Sequence, residues 1–536
     1  MRQIQIIILF FSCFVGFSQE DAWVYFKAKN NSQNYYDNPL LMLSQRAIDR
    51  RTSQNISLDS KDIPIDITYI NQIKAVSGIT VKAKSKWLNA LHIRGTQTAV
   101  NSLKSFAFVD KIDFANKAIN LTGKNTAVTK IKAVNKVFET QIDFAYGNSA
   151  NQIQMLNGDV LHKQNYTGSG KIIAIMDTGF PGVNTAQPFK RLRDNNQILG
   201  GYDFVARNTN FYTSDSHGTM VLSSMGGYQE NALVGTAPDA SYYLFRTEDV
   251  SSENPVEESY WVEAAEKADS LGVDVINTSL GYFEFDKAAY NHTYNEMDGK
   301  TAFMTRGAEI AFSRGMVVVV SAGNEGDTAN PHIGVPADGI SVLTVGAVTS
   351  GKAVTAFSSI GPSFDGRVKP DVMAQGQSVV LSNSSGSIGT ASGTSFSSPI
   401  TAGMVACLWQ AFPNKTNKEI KDLIVKSADR YNVPNAQYGY GIPDFSLAIS
   451  NGIVVDDSVK NVFLYPNPTN DLITASFNGN FTAGNVRIYS MLGQKIGEQI
   501  ITKALPNISL KTLQSGIYIY EIDWNGNTTT GKLIKQ

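Results

Sequence analysis

The chain has 536 residues and 42% apolar content, enough for more than one core, which sets an expectation of roughly two to four domains. A formal net charge of −1 removes any global electrostatic case for binding nucleic acid or an anionic membrane. With only two cysteines, Cys13 and Cys407, and Cys13 in a leader, no intramolecular disulfide is expected, so stability must come from burial and any bound ions. Residues 1–18 open with Arg2, continue as an apolar run over 4–11 and 13–17, and carry small residues Gly16 and Ser18 before Gln19. That is the pattern of a secretory signal peptide, shorter than a comfortable spanning helix. An uncleaved anchor is the alternative; a lipoprotein cut at Cys13 is disfavoured because Phe10 and Phe11 crowd the positions before it.

A first region, 19–145, has alternating segments at 78–83 and 108–114, the latter reading as a half-buried strand. It is rich in basic residues, among them Arg46, Arg50 and Arg51, and shows no catalytic cluster. A second region, 146–452, has apolar runs at 171–176, 240–245, 273–276 and 316–320 that read as buried strands. Helices are expected over 255–271, with Pro255 in the first turn, and over 301–314, closed by Gly315. Thr416 and Glu419 have the spacing of a capping box for another. Cys407 lies in an apolar helical stretch, 403–412, and reads as a small core residue. Strand–helix alternation predicts an α/β fold, a parallel sheet with helices on both faces, whose strand carboxyl ends host the chemistry. A third region, 459–536, begins with Tyr465-Pro466-Asn467-Pro468 and has short strands at 472–477, 485–489 and 516–522. Turn residues Leu492-Gly493 and Asn525-Gly526-Asn527 separate them, which suggests a small β-sandwich.

Within the second region, candidates for nucleophile, base and oxyanion donor fall at predicted strand ends or helix starts. Asp177, in Asp177-Thr178-Gly179, tips the 171–176 strand, where a carboxylate can orient a histidine. Alone this tripeptide also occurs in aspartic proteases, but a second copy after an apolar strand is absent, Met297-Asp298-Gly299 being a poor match. His217 opens a helical stretch beside Gly218 and Thr219; there are five histidines in all, so few other bases compete. Ser395, in Gly393-Thr394-Ser395, begins a long helix, where backbone N–H groups favour an oxyanion; taken singly it reads as a helix cap. Asn324, after the 316–320 strand, has an amide able to donate to an oxyanion; singly it reads as a turn residue.

Together, AIMDTG, SHGTM, SAGNEG and GTSFSSP, in this order, resemble the Asp, His, oxyanion-Asn and Ser motifs of the subtilisin-like serine proteases (subtilases, S8). Val275 to Gly281, Val368 to Val372 and Tyr438 to Gly441 are similar to further landmarks of that family, and the likeness spans roughly 150–450. The resemblance implies a serine endopeptidase working through an acyl-enzyme, with Ser395 as nucleophile, His217 as base and acid, Asp177 as its orienter and Asn324 in the oxyanion hole. It implies that Ser279, Leu280 and Gly281 pair with an extended substrate and form one wall of the P1 pocket. Ser321, Ala322 and Gly323 would form the other wall and Gly334 the floor, leaving room for large apolar P1 residues. No cofactor is implied for the chemistry; structural calcium is usual in the family, its ligands here are not assignable, and Asp298 is a candidate that reads better as a solvated loop residue. Ser397, Ser398 and Ile400 depart from the usual pattern at what are taken as packing positions, and 283–300 reads as an insertion near the cleft.

Residues 19–145 stand where a subtilase propeptide stands, implying a folding chaperone and inhibitor, with the mature start expected between Asp143 and Gln152; a permanent accessory domain is the alternative. Tyr465 to Pro468, Tyr489 to Gly493, Gly516 to Tyr518 and Gly531 to Lys535 resemble the C-terminal sorting domain of type IX secretion. That resemblance implies Sec export, the type IX machinery as a partner, and a secreted or outer-membrane surface location. Protein or peptide substrates are the other expected partners, with no nucleic acid. Against the enzyme stands an inactive surface-binding protein on the same scaffold; an α/β-hydrolase is disfavoured because the order here is Asp, His, Ser and Gly-x-Ser-x-Gly is lacking.

Overall fold

The computed structural model describes residues 19–120, 144–452, 462–465, 467, 469–477, 482–491, 493–524 and 527–535. The expected signal peptide, Asp143, and Pro466, Pro468, Leu492, Asn525 and Gly526 of the turn motifs lie outside the described residues. The chain divides into two compact units, Met1–Gly452 and Ile453–Gln536.

The N-terminal part of the first unit contains β1 (Gln19–Phe26), α1 (Gln45–Ser53), α2 (Ile67–Lys74), β2 (Ile79–Ser85), β3 (Ala90–Thr96), α3 (Gln97–Ser102) and β4 (Val109–Phe114). Its strands form an antiparallel sheet in the order β2-β3-β1-β4. Successive side chains of a strand face opposite ways, and β1 uses both faces. Ala22, Val24 and Phe26 pack with Ile73, Leu91, Ile93 and Val100 into a local core. Trp23 and Tyr25 pack instead into a second core that belongs to the following region.

That region carries the predicted sheet. Its strands are β5 (Ile172–Asp177), β6 (Ile198–Asp203), β7 (Ser241–Arg246), β8 (Val275–Thr278), β9 (Val317–Ser321), β10 (Leu343–Val348) and β11 (Val372–Gln375). All seven pair in parallel in the order β11-β10-β9-β8-β5-β7-β6. Residues of β5, β8, β9 and β10 are buried throughout, and in β5 and β9 this double burial is why 171–176 and 316–320 read as unbroken apolar runs rather than alternating ones. Its principal helices are α4 (His217–Gly226), α5 (Val256–Leu271), α6 (Phe303–Ser313), α7 (Thr394–Ala411), α8 (Asn417–Ser427) and α9 (Phe445–Gly452). Helices α4 and α7 belong to the core on one face of the sheet; α5 and α6 belong to the core on the other. Cys407 is fully buried in α7, and the Thr416–Glu419 capping box forms at α8.

Two boundaries differ from expectation for local reasons. The strand expected at 273–276 begins at Val275, because Gly272 is left-handed (φ 79°) and the Val273 N–H bonds back to Ala268 O; Val273 closes α5 instead. The helix expected from Thr301 begins at Phe303, because Asp298 accepts from the Lys300 and Thr301 N–H groups and holds them in a turn.

The second unit has β12 (Val462–Tyr465), β13 (Leu472–Phe477), β14 (Ala483–Ser490), β15 (Lys495–Thr502), β16 (Asn507–Ser509), β17 (Gly516–Trp524) and β18 (Asn527–Lys535). They form antiparallel sheets β12-β13-β16 and β15-β14-β17-β18. Ile473, Ala475 and Ile508 from one sheet share a core with Val486, Ile488, Ile501, Ile522 and Trp524 from the other, which makes the unit a small sandwich.

Candidate active site

The carboxyl ends of β5, β8 and β9 lie side by side, and each delivers part of the site. Asp177 ends β5 and is fully buried. Its Oδ1 accepts from Thr178 N at 2.8 Å and lies 2.7 Å from His217 Nδ1; among the described residues Asp177 Oδ2 has no hydrogen-bond partner. His217 is the first residue of α4. Glycines bring these two segments together. A Cβ on Gly218 would lie 2.5 Å from Gly179 O and 2.9 Å from Asp177 Cβ, and Gly179 itself has φ 143° with Thr213 O 2.0 Å from its would-be Cβ. The glycines of the AIMDTG and SHGTM segments thus permit the close approach that puts imidazole on carboxylate.

Burial acts to lower the His217 pKa, but the Asp177 carboxylate more than offsets this, so the ring titrates above its ordinary value. The other histidines lie elsewhere: His92 on Asp21 and Ser259, His162 on Tyr146 and Thr236 O, His292 between Glu258 and Glu296, and His332 stacked on Tyr294.

Ser395 lies in the first turn of α7 and its ring neighbour Phe396 sits 5.6 Å, centroid to centroid, from His217. The Ser395 hydroxyl donates to Ser279 O at 3.2 Å, and the Ser279 hydroxyl donates to Ser395 O at 2.8 Å. This reciprocal pair ties the end of β8 to the start of α7. It is braced from below: Asn277 Nδ2 donates to Ser279 Oγ (3.0 Å) and Ser398 Oγ donates to Asn277 Oδ1 (2.9 Å). Ser398, expected to be a packing position, is therefore buried as a hydrogen-bonding residue, and Ser397 likewise donates to Thr394 O. Ile400 is plain packing, fully buried in the core on the α7 face.

Asn324 follows β9. Its Oδ1 accepts from Thr394 N (2.8 Å) and Thr394 Oγ1 (3.0 Å), which consumes the acceptor end of the amide and leaves Nδ2 to donate outward. Gly393 has φ 152°, and a Cβ there would lie 3.7 Å from Ser395 N and 3.8 Å from Asn324 Nδ2. Ser395 N and Asn324 Nδ2 thus lie close to one point at the N-terminus of α7.

Ser279 to Gly281 and Ser321 to Gly323 leave adjacent parallel strands. Ser279, Ser321 and Ala322 are buried, Leu280 and Gly323 half-buried and Gly281 exposed. Gly334 is brought beside them by an antiparallel bridge between Tyr282 and Val335; a Cβ there would meet Tyr282 O at 2.9 Å, so close backbone approach alone requires glycine. Tyr282 also donates to Glu248 Oε1 at 2.5 Å, and burial pushes Glu248 up to about 8. Sequence reasoning assigned Asn277, Thr394 and Glu248 no role and Ser398 only a packing one; the position of Asn277 inside an apolar strand was the one local signal. Asp298 caps its own loop. Among the described residues no group of three or more His, Cys, Asp and Glu side chains is arranged to hold a metal ion.

A parallel α/β sheet with a buried carboxylate on an imidazole, a serine at a helix N-terminus and an outward amide is the arrangement of a serine hydrolase. The comparisons specify which. A family model described as the subtilase family matches residues 168–441, and the chain belongs to that family of serine endopeptidases. A Bacteroidota peptidase S8 propeptide domain matches 21–134 and a secretion system C-terminal sorting domain matches 463–536. Similar proteins include subtilisin NAT of Bacillus subtilis subsp. natto, 31% identical over 329 residues, 61% of this chain and 76% of that protein. Subtilisin of Bacillus pumilus is 31% identical over 54% of this chain and 94% of its own. Serine protease AprX of Bacillus subtilis (strain 168) is 27% identical over 62% and 78%. The chain is thus a subtilase with a propeptide and a type IX sorting tail that marks it for secretion. Among the described residues no helix is long and apolar enough to cross a membrane.

Proposed function

We propose that the chain is the precursor of a secreted endopeptidase that cleaves proteins through an acyl-enzyme on Ser395. The observation that carries this is the 2.7 Å bond between His217 Nδ1 and Asp177 Oδ1, because it leaves Nε2 as the free base beside the α7 N-terminus. On this reading the Ser395 hydroxyl gives up its bond to Ser279 O for one to Nε2 when substrate binds, as catalytic hydrogen bonds commonly form only with substrate present. Ser395 Oγ then attacks the scissile carbonyl while its proton passes to His217 Nε2. The oxyanion is received by Ser395 N–H and Asn324 Nδ2. Collapse returns the proton to the leaving amine, and a water deprotonated by the same ring releases the acyl group. Asp177 holds the tautomer and stabilises the imidazolium; it keeps its own charge throughout.

Ser279 to Gly281 would pair with the substrate backbone as an added strand. They and Ser321 to Gly323 wall the P1 pocket, with Gly334 at its floor, and a scan of P1 residues is expected to favour large apolar side chains over Asp or Arg. The N-terminal region acts as the chain's own inhibitor until processed. The precursor and its Ser395→Ala variant decide the reading: the parent is expected to be labelled by a fluorophosphonate, to cut casein and to process itself, and the variant to do none of these. Equal casein cleavage by both would remove Ser395 from the mechanism.

A further inference from the structure

Of the residues proposed to pair with a substrate strand, Leu280 and Gly281 make no backbone hydrogen bond among the described residues. They lie just past Thr278, the last residue of β8 to pair with β5 and β9. Two anchors bound this free stretch. On one side Ser279 exchanges hydrogen bonds with Ser395. On the other stands Tyr282, whose N–H donates to Val335 O at 2.9 Å and whose carbonyl accepts from Val335 N at 3.0 Å. The Tyr282 side chain makes a further tie in another direction: its hydroxyl donates to Glu248 Oε1 at 2.5 Å.

Glu248 stands two residues past the end of β7. The Thr247 N–H before it donates to Asp177 O at 2.9 Å, and the Thr247 hydroxyl donates to Glu248 Oε1 at 3.3 Å. Strands β8 and β7 flank β5 on its two sides, so the Tyr282–Glu248 bond spans the strand that ends in Asp177. It ties the stretch past β8 to the stretch past β7. Both residues are buried, where a hydrogen bond is stronger than in water and its loss is not made good by solvent. Phe285 stacks on the Tyr282 ring, centroids 5.8 Å apart, so the ring is packed as well as bonded. Burial pushes Glu248 up to about 8; at pH 7 it is a neutral acid whose carbonyl oxygen accepts from the phenol, an arrangement that a glutamine amide copies.

Leu280 and Gly281 are held only through their neighbours. Once the Tyr282 side chain is released, the ordering of these two residues falls on the binding step instead of on folding. We propose that Tyr282 and Glu248 are positioning residues for the substrate strand: the bond between them holds Leu280 and Gly281 ready to pair with a peptide backbone, and so lowers KM for substrates that reach beyond P1. The proposal rests on the reading of Ser279 to Gly281 as the pairing segment. Neither residue touches the reacting atoms, so the effect is confined to binding.

The test compares the secreted, processed enzyme with its Tyr282→Phe, Glu248→Gln and Glu248→Leu variants at pH 7, on two peptides with the same P1 residue and leaving group. One peptide ends at P1 and the other extends to P4, so pairing with Leu280 and Gly281 is open only to the longer. In Tyr282→Phe and Glu248→Leu the ratio of KM for the longer peptide to KM for the shorter is expected to rise about tenfold, the scale of ordering one residue. The rise is expected in KM rather than in kcat, because the tie serves ground state and transition state alike. Glu248→Gln, which keeps a neutral acceptor, is expected to keep the parental ratio. A merely structural role would weaken both peptides together. An unmoved ratio in Tyr282→Phe, or a ratio in Glu248→Gln as high as in Glu248→Leu, would overturn the proposal, and if Glu248→Leu fails to fold, Tyr282→Phe decides. Should the parent gain nothing from the longer peptide, the pairing reading fails instead, and the tie is judged without substrate in Ser395→Ala chains. There Tyr282→Phe is expected to speed amide hydrogen exchange at positions 282 and 335, and equal protection would overturn the tie.

Discussion

The Asn324 amide is held through its oxygen, which leaves its N–H groups to donate, and this fixes what a single substitution there should do. Asn324 Oδ1 is occupied by Thr394, so the side chain is positioned before substrate arrives. Asn324→Ala is therefore expected to lower kcat by about 10²–10³, the general magnitude for deleting one oxyanion donor, with little change in KM, because the lost bond belongs to the transition state; steady-state kinetics on a short peptide separates the two. The pH dependence follows from His217. In the proposed mechanism its neutral form is the base, and Asp177 raises its pKa above the ordinary imidazole value. Activity is thus lost as pH falls through that raised value, and the acid limb of kcat/KM should have its midpoint above about 6.5. Asp177→Asn removes both the charge and the tautomer control, so the limb should move to lower pH while kcat drops by about 10⁴; a midpoint that stays in place would mean that some other group sets it.

At the scale of elements, the site depends on how closely α4 lies against the turn after β5. The Cβ added by Gly218→Ala would sit 2.5 Å from Gly179 O, a backbone atom that cannot rotate away. Helix α4 must shift, and His217 shifts with it. Misplacement of about 1 Å can cost 10²-fold in rate, so Gly218→Ala is expected to cost about that in kcat while thermal unfolding stays cooperative; unchanged kinetics would show that the turn yields instead. Legibility in the sequence follows the same division. β5, β7 and β9 announced themselves as unbroken apolar runs, and the motif residues as strand tips and helix starts, because those signals are local. β6 was illegible because Gly200 and Gly201 interrupt its pattern. The Asn277–Ser398 brace and the Tyr282–Glu248 bond join residues 121 and 34 apart, and no local pattern encodes such partners. Arg46, Arg50 and Arg51 read only as part of a basic composition for the same reason: Asp269 and Asp274, which they bind, lie more than 200 positions on.

At the scale of the whole chain, two cuts are constrained by packing. The segment from Phe144 is built into the catalytic fold: Ala145 O accepts from Asn231 N, Tyr146 is buried against Ile153 and Val234, and the Gln152 amide bonds Val380 through both of its ends. A mature chain starting after these residues would lose that packing, so N-terminal sequencing of the secreted enzyme is expected to find the start at or before Phe144; a start beyond Tyr146 would contradict it. The tail is the second case. Its core of Ile473, Val486, Ile501, Ile522 and Trp524 is its own, and α9, the last helix before it, ends at Gly452 with Phe445 and Ala448 fully buried in the core of the first unit. Among the described residues the core clusters of the catalytic fold extend no further along the chain than Ile449, so a chain ending at Gly452 should fold, while lacking the sorting domain at 463–536 should strand it inside the outer membrane. Comparing fluorophosphonate labelling in periplasm and medium checks both halves. Labelling at the parental level confined to the periplasm is expected, unlabelled soluble protein would mean that the tail supports the site, and full secretion would mean that another signal directs export.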